Sequence, residues 1–196
     1  MRILGVDPGL TRCGFGVIEA GGSRRVALVD VSVARSSADD ETPARLAAIA
    51  DAFDAVLDEH RPQAIALERV FAQHNVRTVM GTAQISGVVM VTAARRGIPL
   101  AMYTPSEVKA AVTGQGRADK AQVGFMVAKL LGLESIPGPA DAADALAIAI
   151  AHAWRAGAGA SARELPTRAD SAGRQGEGTP AQQRWAAAEQ AARKRG

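Results

Sequence analysis

The sequence predicts an α/β fold: a five-stranded mixed sheet, part antiparallel meander and part parallel, flanked by helices. Three observations predict it. Ile3, Leu4 and Val6 form an apolar run too short for a helix and without 3.6-residue spacing, so it reads as a buried strand delivering Asp7 to its carboxyl end. Residues 64–67, Ala-Ile-Ala-Leu, form a second such run, and it ends on Glu68. Between the two, Leu46, Ile49, Phe53, Val56 and Leu57 recur at helical spacing. A helical crossover between two apolar strands implies parallel neighbours, whose carboxyl ends meet at one edge of the sheet.

The remaining elements follow in order. Residues 14–20 return beside the first strand through the loop 8–13, and Gly21-Gly22 turns the chain into a third strand near residues 25–35, completing a meander. Thr42-Pro43 reads as an N-cap with proline at the first helical position, and His60-Arg61-Pro62 stops that helix. Residues 76–96 read as a long helix closed by Gly97, and residues 98–103 as the fifth strand. Gly81 and Gly87 each weaken that helix by about 1 kcal/mol relative to alanine. Close approach of another helix, in the core or across a dimer, is the expected compensation. Thr104-Pro105-Ser106-Glu107 is a capping-box pattern opening a short helix that ends at Gly114. Residues 114–120 form a polar glycine loop, residues 123–131 a helix stopped by Gly132, and Pro137-Gly138-Pro139 a break. Residues 140–152 begin a helix so rich in small and apolar side chains that it is buried on most sides.

Composition bounds the function. A chain of 196 residues with 47% hydrophobic content fits one domain with a full core, or one domain and a tail. The single cysteine, Cys13, excludes an internal disulfide and agrees with a reducing cytoplasm. No apolar run approaches a membrane span, and the first residues begin a strand with no signal-peptide n-region before them, so a cytoplasmic protein without membrane contact is expected. Lys plus Arg balance Asp plus Glu over residues 1–156, and the formal +3 falls wholly in residues 157–196. The expected organisation is therefore a folded body, 1–156, and a basic tail, 157–196, whose Gly, Ala, Ser, Arg and Gln content predicts disorder.

Four acids carry the chemistry. Asp7 and Glu68 converge at strand ends, while Asp141 and Asp144 stand three apart on the apolar helix and share a face. Asp7 also reads as a turn residue before Pro-Gly, and Asp141 as a favourable charge at a helix start. Asp144, in the first turn of a buried helix, reads less well that way. Without a cation, four such carboxylates would repel one another and resist ionisation. Hard oxygen donors without Cys-His spacing point to Mg²⁺ or Mn²⁺, and two such ions about 4 Å apart serve an in-line displacement at phosphorus.

Four dispersed segments carry a resemblance: ILGVDPGLTRCGFGVIE at the start, IALERVF around Glu68, TPSEVKAAVTGQGRADKAQV, and DAADALAIAIAH. In order and without a missing block, residues 1–152 resemble the RuvC family of bacterial Holliday-junction resolvases. The resemblance implies an RNase H-like fold, a homodimer, magnesium, and paired nicks at a four-way DNA junction. It places catalytic, metal-binding acids at Asp7, Glu68, Asp141 and Asp144. It further implies partnership with the RuvA and RuvB branch-migration proteins, a junction-engaging aromatic at Phe71, and DNA-binding bases at Lys109 and Lys120. Phe71 reads otherwise as a core residue beside Val70, Lys109 as snorkelling along its helix, and Lys120 as paired with Asp119. His152 is expected on the surface or in the core of its helix, and is worth testing because members of the family vary one acid position. Two other readings share the carboxylate logic or the fold: a small RNase H-like nuclease of ribosomal RNA precursors, and a module that binds junctions without cutting. The longer body and the DAAD helix argue against the first, and the repulsion of four carboxylates for DNA against the second. An actin-like or sugar kinase needs a duplicated domain and a nucleotide-binding glycine motif, neither of which is present.

Overall fold

The computed structural model describes residues 1–69, 76–156 and 164–165, and the chain divides into two units, Met1–Leu165 and Pro166–Gly196, of which the second lies outside the described residues. The first unit is built on a sheet of β1 (Arg2–Asp7), β2 (Arg12–Ala20), β3 (Val26–Arg35), β4 (Ala64–Glu68), β5 (Leu100–Tyr103) and a two-residue β6 (Glu164–Leu165). Strand order is β3-β2-β1-β4-β5-β6. The first three strands form the antiparallel meander, and β1, β4 and β5 run parallel, as expected for the five-stranded sheet. β6, which the sequence did not reveal, lies antiparallel to β5 at Leu100 and Ala101.

Alternation along the strands divides the core. Leu4, Val6, Phe15, Val17, Ile65 and Leu67 face α1 (Thr42–His60) and α2 (Val76–Arg96), with the Phe15 and Phe53 rings 5.8 Å apart. Ile3, Ile18, Ala66 and Tyr103 face α3 (Pro105–Thr113), α4 (Lys120–Leu131) and α5 (Ala140–Ala156). Helices on both faces of the sheet explain why β1 and β4 are apolar at every interior position.

Several expected boundaries move, each for a local reason. Glu41, not Thr42, is the N-cap of α1, because the Glu41 carbonyl accepts the first helical bond from Arg45 N–H at 3.1 Å; its side chain makes no capping bond. β5 starts at Leu100 because the Ile98 N–H is still spent on the Ala93 carbonyl at 3.0 Å, past the left-handed Gly97. α3 has its expected capping box, Thr104 with Glu107. α4 starts three residues early, at Lys120, because Asp119 caps it: its carboxylate accepts from Gln122 N–H at 2.8 Å, and the Gln122 side chain accepts from Asp119 N–H at 3.0 Å.

The two glycines of α2 have different surroundings. A side chain at Gly81 would press on Leu10 of the β1–β2 loop, with 3.0 Å between their Cβ atoms, so its close approach is to that loop and not to a helix. Gly87 has nothing within 4 Å of where a Cβ would sit. It shares a face with the exposed Met80, Gln84 and Val91, which stand seven, three and four positions from it along the helix.

Candidate active site

Backbone register brings the four acids to one sheet edge. β1 and β4 pair in parallel with Val6 opposite Leu67, so the next residue of each strand, Asp7 and Glu68, ends the ladder at the same level. α5 lies directly on β1 and β2, and three glycines permit it. A Cβ at Gly5 would collide with the Ala145 carbonyl oxygen, one at Gly14 with that of Asp141, and one at Gly16 would stand 2.7 Å from the Leu146 nitrogen. Gly14 is also the register partner of Asp7. The start of α5, with Asp141 in its first turn and Asp144 in the next, is thereby seated beside Asp7.

Asp7, Glu68, Asp144, Lys109 and Lys120 line one cavity of about 300 Å³. Asp141 stands outside that lining, though its charge is felt by Asp7. Burial, followed by repulsion from Glu68, Asp144 and Asp141, pushes the Asp7 carboxyl up to about 8. Glu68 is raised as well, by burial and then by Asp144, against the opposing pull of a hydrogen bond with Asp7 and the charges of Lys120 and Lys109. The helix acids have cations instead. Lys120 Nζ donates to Asp144 Oδ2 at 3.1 Å, which raises the lysine, and Arg12 Nε stands 2.9 Å from Asp141 Oδ2. That second contact is an ion pair without hydrogen-bond alignment: Asp141 Oδ2 is buried and accepts no hydrogen bond.

Lys120 therefore pairs with Asp144 and not with Asp119, whose carboxylate is spent on capping α4. Lys109 is half-buried on α3 and borders the acid cavity. Phe71 lies outside the described residues. His152 is buried, its Nδ1 2.8 Å from the Tyr103 hydroxyl, and does not line the acid cavity. Arg12 was missed by sequence reasoning; its place five residues after Asp7, at the head of β2, was the available signal. Cys13, pushed up to about 12 by burial, is an inert core residue.

Among the described residues, no three His, Cys, Asp or Glu side chains stand in ready-made ligating positions. The donor set nonetheless fits a hard divalent cation. It offers carboxylate oxygens alone, one of them a buried oxygen that accepts no hydrogen bond, and one carboxyl, that of Asp7, which burial and then neighbouring acids push up to about 8. No helix among the described residues is long and apolar enough to cross a membrane.

The sequence matches the family model described as crossover junction endodeoxyribonuclease RuvC over residues 3–152. The RuvC of Saccharopolyspora erythraea is 58% identical over 193 residues, covering 98% of this chain and 97% of that protein. The RuvC of Clavibacter sepedonicus is 55% identical over 204 residues, covering both proteins fully. Among solved structures, Thermus thermophilus RuvC in complex with Holliday-junction substrate superposes with a TM-score of 0.79 at 35% identity, covering 84% of this chain and 99% of that one.

Proposed function

We propose, from the premise that the chain belongs to the RuvC family of crossover junction endodeoxyribonucleases, that Asp7, Glu68, Asp141 and Asp144 are the acids with which it resolves four-way DNA junctions. The observation that carries this reading is the convergence of Asp7, Glu68 and Asp144 on one cavity with Asp141 close enough to act on Asp7, where burial and then these acids raise the Asp7 carboxyl. An acid cluster of that kind is costly to a protein unless a cation neutralises it. Mg²⁺, with Mn²⁺ as substitute, is the cation proposed, held by the four carboxylates as a pair of ions. When bound it supplies activation of water and neutralisation of charge on the leaving oxygen.

The remaining work belongs to the side chains. Lys120 and Lys109 place two ammonium groups on the rim of the acid cavity, where they offset the repulsion between carboxylates and a phosphodiester. Lys120 moves from Asp144 toward phosphate when that carboxylate is engaged elsewhere. Its ion pair is largely exposed, so the exchange costs little. Phe71 follows the catalytic glutamate by three residues and is proposed as a stacking wedge at the crossover. Cutting two equivalent strands calls for a two-fold dimer with one acid cluster per subunit. The exposed face of α2 formed by Met80, Gly87 and Val91 supports an interface there, since an apolar stripe with an open glycine admits a second helix closely. RuvA and RuvB remain partners by family alone, and residues 157–196 a proposed basic extension of the domain.

Cleavage of a mobile four-way junction, compared with duplex DNA and structured RNA in Mg²⁺, tests the reading. Paired nicks in the junction alone are expected. Preferential cutting of structured RNA would favour the ribosomal RNA precursor nuclease, and binding without cutting the junction-clamping module. For the dimer, Gly87→Leu should give folded monomers by sedimentation and circular dichroism that nick a supercoiled cruciform without linearising it. A dimeric Gly87→Leu that linearises the plasmid in one binding event eliminates the α2 interface.

A further inference from the structure

A second cavity adjoins the acids through Asp141 alone. Of about 490 Å³, it is lined by Thr11, Arg12, Arg45, Thr78, Thr82 and Asp141, and shares neither the other three acids nor the two lysines. Two arginines and three threonines front one space, and among the described residues only one of the two guanidiniums, that of Arg12, has a carboxylate facing it.

Arg45, in the first turn of α1, is built into position. Its Nη2 donates to Thr11 Oγ1 at 2.8 Å and its Nε to Ser36 Oγ at 3.0 Å, while Ser36 Oγ donates to the Leu10 carbonyl at 2.5 Å. The loop that carries these groups is itself seated on α2, where Leu10 packs at Gly81. Among the described residues these bonds use two of the five N–H donors of Arg45, and three are left. Arg12 is differently placed. Its contact with Asp141 lacks hydrogen-bond alignment, and its side chain is 54% exposed, so little holds it there. Once a divalent cation takes Asp141, Arg12 stands unpaired beside Arg45, both fronting a cavity edged with hydroxyls.

We infer that this cavity is a binding site for a second, non-scissile phosphate of the DNA backbone, gripped by Arg45 as a fixed donor and by Arg12 as an arm released from Asp141. The site rests on the proposed resolvase function and adds to it a contact in a cavity that shares no lining residue with the lysine-lined one. A phosphodiester is a compact monoanion with two non-bridging oxygens, suited to two guanidinium forks and a threonine hydroxyl.

The test is a scan of single neutral methylphosphonate linkages along the arms of a four-way junction, read by fluorescence anisotropy in Mg²⁺ with the full chain carrying Glu68→Gln to prevent cutting. Arg12→Gln and Arg45→Gln are each added to that parent. One sensitive linkage of the parent should become insensitive in both variants, with the other sensitive linkages unchanged. The slope of log affinity against log salt should fall by about one unit per guanidinium removed. Arg45→Lys, which keeps the charge and spares the loop, should retain part of the sensitivity at the same linkage, and it carries the test if Arg45→Gln melts early. Unchanged sensitivity at every linkage in both variants overturns the site, as does silencing of different linkages by the two arginines. A parent with no sensitive linkage and no preference for the junction over duplex overturns the resolvase reading beneath it instead.

Discussion

The strand-end acids and the helix acids occupy one sheet edge under opposite electrostatic conditions. Asp7 and Glu68 are half-buried at the ends of β1 and β4, close to each other and to Asp144, and both are pushed upward. Asp141 and Asp144 emerge from the first two turns of α5 and each holds a cation, Arg12 or Lys120. An arriving divalent ion thus relieves repulsion at the first pair and displaces a side chain at the second. Affinity for metal should come from the strands, and coupling between metal and DNA from the helix.

The largest effect that would break this comparison is on chemistry. Asp7→Asn should lower nicking by at least about 10²-fold, the scale of losing one charge-stabilising group, while junction binding holds or tightens because a phosphate-repelling charge is gone. Gel-shift and cleavage assays on the same junction separate the two. Wild-type cleavage in the variant would remove Asp7 from the metal site.

The second effect is on stability without metal. A carboxyl raised from 3.8 to about 8 binds more protons folded than unfolded throughout that interval, so the stability of the protein in EDTA should fall as pH rises from about 4 to about 8 and level off above. Glu68 acts in the same direction. Asp7→Asn should flatten this decline and raise the melting temperature at pH 8 by a few degrees, whereas Asp144→Asn, which also strands Lys120, should gain less. Thermal melts across pH decide it; equal slopes in Asp7→Asn and the parent would place the repulsion elsewhere.

The smallest effect sharpens the helix side. Lys120→Gln frees Asp144, and an exposed ion pair competes only weakly with a metal, so Mn²⁺ affinity of the DNA-free protein should rise by up to about fivefold. Junction binding should weaken at low salt in the same variant. Calorimetry showing weaker Mn²⁺ binding would mean that Lys120 supports the site and does not compete for it.

Much of this arrangement was legible because it is local. A four-residue apolar run stopped by a carboxylate can be recognised as a strand with its acid at the lip, and DAAD opening an alanine-rich helix shows two acids on one face. Partnerships set by tertiary packing were not legible. Lys120 has Asp119 beside it in the chain, yet capping α4 takes that carboxylate and leaves the lysine for Asp144, 24 residues on. Gly81 reads as a helix contact, and only the fold shows Leu10 opposite it. Gly5, Gly14 and Gly16 look like weak points in two strands until α5 is laid across them. β6 is two residues long, below what any periodicity can signal.

The three glycines under α5 also act as a datum surface. With no side chains between helix and sheet at Gly5, Gly14 and Gly16, the offset of Asp141 and Asp144 from Asp7 is gauged by backbone atoms meeting backbone atoms. One methyl group at position 14 would act as a shim under the Asp141 end of the helix, tilting both acids together. The same chain thus sets the position of two acids by three residues that carry no functional group.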